Sequence, residues 1–176
     1  MKPLVSSDPA LNLVWLLLSG FLVMFMQVGF AMLETGFTRA KNAVHTMAMN
    51  LLIYPIGVVG YWLIGFGLMY GGHAGWPALG GATAPHLELA LQLGSHHWGF
   101  LGAAKFALLD VASDPAQLAM FVFATVFLDT AATIPTGALA ERWKLSAFVI
   151  YGFFMSCVLY PVYGNWVWGG GFLAQL

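Results

Sequence analysis

The chain has 176 residues, of which 60% are apolar and only 7% carry a charge, and its mean hydropathy is +0.82. Soluble domains carry roughly 25% charged residues, so the composition excludes an ordinary water-soluble domain and points to a chain embedded in a lipid bilayer. A net charge of −1 offers no electrostatic footprint for a nucleic acid, and the lone Cys157 excludes an internal disulfide.

A bilayer core about 30 Å thick takes about 20 apolar residues of helix, and four stretches satisfy this. The first spans about residues 11–33, with Gln27 as its one strongly polar interior side chain. Only Lys2 supplies a basic leader, the apolar run is long enough to span, and no small-residue cleavage pattern follows, so it reads as a retained helix rather than a signal peptide. The second covers about residues 44–70 and contains His45, Asn50 and Pro55. The third and fourth cover about residues 117–139 and 145–166. The expected fold class is therefore all-α, a polytopic membrane helical bundle.

The short loops 34–43 and 140–144 hold Arg39, Lys41, Arg142 and Lys144. The positive-inside rule makes both loops cytoplasmic and leaves the N-terminus outside. The intervening loop 71–115 is then external. Its apolar part, around Trp98–Leu109, is expected to form a short surface helix. His73, His86, His96 and His97 fall in this loop and read as solvated histidines, because adjacent residues on a helix point about 100° apart and make poor metal geometry. No cofactor is expected. No nucleophile–base pair or metal-ligand cluster lies in the spans, so no enzymatic activity is expected either.

Several polar groups lie where polar groups are costly. Asp129 sits mid-way along the third span, followed by Thr130, Thr133, Pro135 and Thr136. A carboxylate at that depth costs several kcal/mol unless it is wet, paired or protonated. Asp129 is accordingly a candidate pore or interface residue, with a structural hydrogen-bond anchor as the alternative. Glu34 reads as a cap or a partner of the basic groups near it, and Gln27 and Asn50 as interhelical hydrogen-bonding residues. Phe123 and Phe127 are four residues apart and share a helix face. At the end of the fourth span, Tyr163-Gly-Asn-Trp-Val-Trp168-Gly-Gly-Gly171 sets two tryptophans at a membrane exit, where a ring with one polar edge is favoured.

Three of these segments carry a resemblance. Gly29-Phe-Ala-Met-Leu-Glu-Thr-Gly-Phe-Thr-Arg-Ala-Lys-Asn42 resembles the first-helix signature of the ammonium transporter family (Amt/MEP/Rh). Thr136-Gly-Ala-Leu-Ala-Glu-Arg142 resembles its third-helix exit, and Val167-Trp-Gly-Gly-Gly171 its fourth-helix exit. The resemblance covers nearly the whole chain and is loosest in the external loop. It implies ammonium or ammonia as substrate, with methylammonium as an analogue, a homotrimer in the cell membrane, and one pore per subunit built from about eleven helices in two inverted halves.

By the same resemblance Trp168 takes the place of the cation-site tryptophan and Phe127 that of the upper gate phenylalanine, with Phe123 one turn further out. A dehydrated cation is well held by aromatic faces. Asp129 departs from the family's common small uncharged residue and resembles a subgroup linked to signalling domains. The motif that opens the family's fifth helix, the second gate phenylalanine and the paired pore histidines are not in this sequence. The chain is therefore expected to be an N-terminal fragment, about helices 1–4, of a channel or transporter. The membrane input domain of an ammonium sensor and a non-functional truncated remnant are the alternatives.

Overall fold

The computed structural model describes residues 8–93 and 96–175. Four helical segments are long and apolar enough to cross a membrane: Pro9–Phe37, Ala40–Tyr70, Pro115–Ala138 and Leu145–Ala174.

Each span begins or bends for a local reason. Helix α1 (Pro9–Met24) starts with proline in its first turn, where no N–H is needed, and the Asp8 carboxylate caps the Ala10 amide at 2.9 Å. The span breaks briefly at Phe25 and resumes as α2 (Met26–Phe37). The second span comprises α3 (Ala43–Gly60), a π-helical turn over Tyr61–Gly65, and α4 (Phe66–Tyr70). Helix α5 (Pro115–Ala138) repeats the opening of α1: Asp114 caps Ala116 at 2.9 Å ahead of a proline. It runs through Pro135 without breaking, and Thr130 bonds back to the Val126 carbonyl at 3.0 Å. The fourth span mirrors the second, with α6 (Leu145–Phe154), a π turn over Met155–Leu159, and α7 (Tyr160–Val167).

The two π turns pack together. The Cys157 thiol reaches the carbonyl of Gly60 at 3.5 Å. A side-chain carbon on Gly60 would lie 3.0 Å from that sulfur and closer still to Ser156 Oγ, so only glycine allows this crossing.

The long connection differs from its expected form. Of the residues around Trp98–Leu109, those up to Gly102 form a strand, and the only helical element among them is a single 3-10 turn at Phe106–Leu108. Strands β1 (Glu88–Leu93) and β2 (His96–Gly102) form an antiparallel hairpin with a register shift between Leu89 and Ala90. Leu87, Leu89 and Leu91 alternate with Glu88 and Ala90, a two-residue period that suits a strand and not a helix. Trp166 anchors the hairpin to α7 by donating its indole N–H to the Phe100 carbonyl at 2.9 Å.

At the end of the bundle that carries the basic loops, a buried polar network joins three spans. Glu34 Oε2 accepts from Asn50 Nδ2 at 2.7 Å and from Thr136 Oγ1 at 2.5 Å. Thr133 Oγ1 donates to Asn50 Oδ1 at 2.9 Å, and Gln27 donates both to Thr133 and to the Asn50 carbonyl. Glu34 is thus neither a cap nor a partner of the basic loop. The ion pair belongs to Arg39 and Glu141, 2.7 Å apart, and this exposed guanidinium draws the Glu141 carboxyl down to about 2.

Asn50 both donates to the carboxylate and accepts from Thr133, so Asn50→Leu should destabilise the bundle by roughly 2 kcal/mol, the upper range for interhelical bonds plus a stranded acceptor. Thr46 is equally buried, yet its hydroxyl has no partner among the described residues. Thr46→Val should therefore change stability by less than about 0.5 kcal/mol. Reversible unfolding of both variants in mixed micelles checks the contrast.

Candidate functional site

The glycine run fixes one side of the site. Asn165 is fully buried and donates Nδ2 to the Met69 carbonyl at 3.0 Å, tying α7 to the end of the second span. The chain then folds back over Asn165: Gly169 donates to the carbonyls of Gly164 and Asn165, and Gly171 donates to Asn165 at 2.9 Å. Gly170 has φ 92°, a conformation in which a residue with a Cβ is strained. A Cβ on Gly169 would collide with the Met69 carbonyl, and one on Gly171 would come within 2.7 Å of Trp166 Cα. This compact turn leaves Trp168 at the helix end with 55% of its surface exposed, its ring edge-on to Tyr163 at 5.9 Å.

Phe123 and Phe127 lie on α5 with ring centroids 4.9 Å apart. They face Trp168 across a cavity of about 370 Å³, whose other walls include Tyr70, Trp76 and Tyr160. All three aromatic residues singled out in the sequence therefore line one space, although they come from two separate spans. Sequence reasoning missed Tyr70, Trp76 and Tyr160. The available signal was weak: an aromatic side chain at a membrane exit also serves as an interfacial anchor.

Trp76 has its own support. His73 stacks on it at 4.7 Å, and the Lys105 ammonium sits 5.3 Å from its ring centroid while donating to the His73 carbonyl at 2.5 Å. Lys105 is 4% exposed and holds a left-handed backbone with φ 62°. Burial pushes its pKa down from 10.5 to about 8, with Asp114 opposing the shift. Burial, reinforced by Lys105 and His86, likewise lowers the pKa of His73. His73 is thus part of an aromatic stack rather than a solvated loop residue. His86 is exposed, and the side chains of His96 and His97 lie outside the described residues. Among the described residues no group of three metal-ligating side chains forms.

Asp129 does not join this site. Two residues on from Phe127, it points about 200° around the helix and borders a different cavity with Gln27 and Tyr54. It is 3% exposed.

A family model described as Ammonium Transporter Family matches residues 14–176. The chain belongs to the ammonium transporter family. Among curated relatives it is similar to the ammonium transporter Amt2 of Archaeoglobus fulgidus, with 41% identity over 93% of this chain and 30% of that protein. It is 37% identical to Amt2 of Haloferax mediterranei over 98% of this chain and 34% of that protein. Ammonium transporter 1 member 3 of Solanum lycopersicum is 33% identical over 93% of this chain and 30% of its own length. The chain thus spans about a third of the length of these relatives. Its family signatures also meet in space, since Glu34 of the first binds Thr136 at the start of the second.

Lys105 supplies a prediction with a defined sign. Its folded pKa is depressed, so between about pH 8 and 10.5 the unfolded chain binds the extra proton and stability rises with pH. Replacing Lys105 by Met should flatten that rise. Thermal unfolding midpoints across this range, compared between wild type and variant, measure it.

Proposed function

We propose that this chain supplies the outer cation site and upper gate of an ammonium pathway across the cell membrane. The observation that carries the reading is the aromatic cavity lined together by Phe123, Phe127 and Trp168. Ammonium is a compact monovalent cation. Once it sheds water, the negative faces of several aromatic rings compensate part of its lost hydration, and Trp provides the strongest such face. Trp168 receives the cation, Phe127 closes the path beneath it, and Phe123 lines the approach. Tyr70, Trp76 and Tyr160 complete the wall.

The half-exposed Trp168 and the 39% exposed Phe127 leave the cavity open on one side. The relatives are about three times as long as the matched stretch, and in this reading further protein closes that side. The working form is a homotrimer in the lipid bilayer. The N-terminus and long loop face outward, and the Arg39 and Arg142 loops face the cytoplasm, a reading supported by the distribution of basic residues. The buried network beneath α5 holds the gate helix at a fixed height against its neighbours.

In the native polypeptide, Trp168→Leu should weaken competition by methylammonium for the outer site about tenfold, the equivalent of the ~1–2 kcal/mol of a desolvated cation–π contact. Unaltered competition in a variant that accumulates normally in membranes would remove Trp168 from the site.

A further inference from the structure

On the face of α5 opposite the aromatic cavity lies a second space of about 390 Å³, bordered by Phe21, Phe25, Gln27, Val28, Tyr54 and Asp129. Most of this wall is hydrocarbon or aromatic. Within it lie two side chains more than nine-tenths buried, Asp129 at 3% and Gln27 at 8% exposure. Each has an oxygen with no hydrogen-bond donor among the described residues: Asp129 Oδ1 and Gln27 Oε1. The amide orientation of Gln27 is set by its nitrogen, which donates to Thr133 and to the Asn50 carbonyl. That arrangement commits the oxygen to the acceptor role.

Two unsatisfied acceptors beside one cavity, one of them a carboxylate, call for a donor or a cation. Among the described residues no neighbouring base supplies the counter-charge. Of the five Lys and Arg among the described residues, Arg39, Lys105, Arg142 and Lys144 lie outside the four membrane-spanning stretches, and Lys41 stands in the 3-10 turn that opens the second, Ala40–Tyr70, 13 residues before Tyr54. His45, the one histidine of the second span, is engaged with the Trp143 carbonyl at 3.2 Å. A divalent ion is a poor match, because Ca²⁺ takes six to eight oxygen ligands and Mg²⁺ a near-octahedral set, whereas this wall offers one carboxylate, one amide and the Tyr54 hydroxyl.

We propose that Asp129 and Gln27 form a second binding site, for a small monovalent cation held by oxygen ligands, separated from the aromatic cavity by α5. The inference does not depend on the aromatic cavity being an ammonium site. Asp129 gives charge, Gln27 gives a fixed dipole, and the surrounding hydrocarbon strengthens both by excluding water.

Infrared difference spectroscopy on the native polypeptide in lipid tests this, exchanging choline chloride for ammonium chloride or rubidium chloride at constant ionic strength. The expected result is a saturable change in a carboxyl band with at least one of the two smaller ions, present in wild type and in Trp168→Leu but lost in Asp129→Asn. A wild-type band that no salt perturbs overturns the proposal; it is the outcome expected if a bound water or a cationic side chain from elsewhere satisfies the carboxyl. An identical change in Asp129→Asn overturns it too, assigning the band to another carboxylate such as Glu34. Should that variant not accumulate, Asp129→Glu decides. Moving the carboxylate by one methylene should shift half-saturation severalfold, and an unshifted value refutes the site. Because Trp168→Leu is measured alongside, failure of the aromatic site and failure of this one give different results.

Discussion

The carboxylate of Glu34, buried where three spans meet, is the constraint on which the arrangement of this bundle rests. Lipid gives helices little hydrophobic reason to prefer one another, so packing and interhelical hydrogen bonds set their register. Glu34 takes donors from Asn50 on the second span and Thr136 on the third. Thr133 and Gln27 then close the circuit through Asn50. A carboxyl group buried away from water demands both donors at short range, so sliding any one helix by a turn would strand it. Small residues serve the same end. A Cβ on Gly137 would stand 2.9 Å from Glu34 Oε1, so the glycine after Thr136 makes room for the carboxylate.

That fixed register has consequences about three turns away along α5. With Thr133 and Thr136 held in the network, the helical repeat directs Phe123 and Phe127 to one side and Asp129 to the other. The paired π turns of the second and fourth spans, locked through Gly60 and Cys157, bring Met69 against Asn165. The glycine turn built on Asn165 then presents Trp168 to the two phenylalanines. Aromatic cavity and polar network are therefore ends of one mechanical arrangement rather than independent features.

A hydrophobic membrane helix buries little of its surface, and many large apolar side chains here remain exposed, among them Trp15, Phe25 and Phe37. In water that would mark instability, but in a bilayer it is the expected face of a span. Interior positions are correspondingly polar or small to an unusual degree: Gln27, Glu34, Thr46, Asn50, Gln117, Asp129, Thr133 and Asn165 are all buried. The inside-out pattern means that the polar residues, not the apolar ones, carry most of the information about which helix touches which.

The sequence by itself determined the class, the four apolar helical segments and the family, because hydropathy over about 20 residues and short motifs are local properties. It also marked Phe123, Phe127, Trp168 and Asp129 as residues of interest, and Gln27 and Asn50 as bonds between helices. Only the tertiary structure decided who meets whom. Glu34, five residues from Arg39, looked like that residue's natural partner, but the turn at Thr38 gives Arg39 to Glu141 and turns Glu34 inward to Asn50 and Thr136. The hairpin at residues 88–102 was hidden because a short apolar run suits helix or strand, and its pairing is fixed by the partner strand and by Trp166. Asp129 stands two residues from Phe127 in sequence, yet it opens onto a separate cavity, since a helix turns by 200° over two residues and the packing on each face decides what lies there.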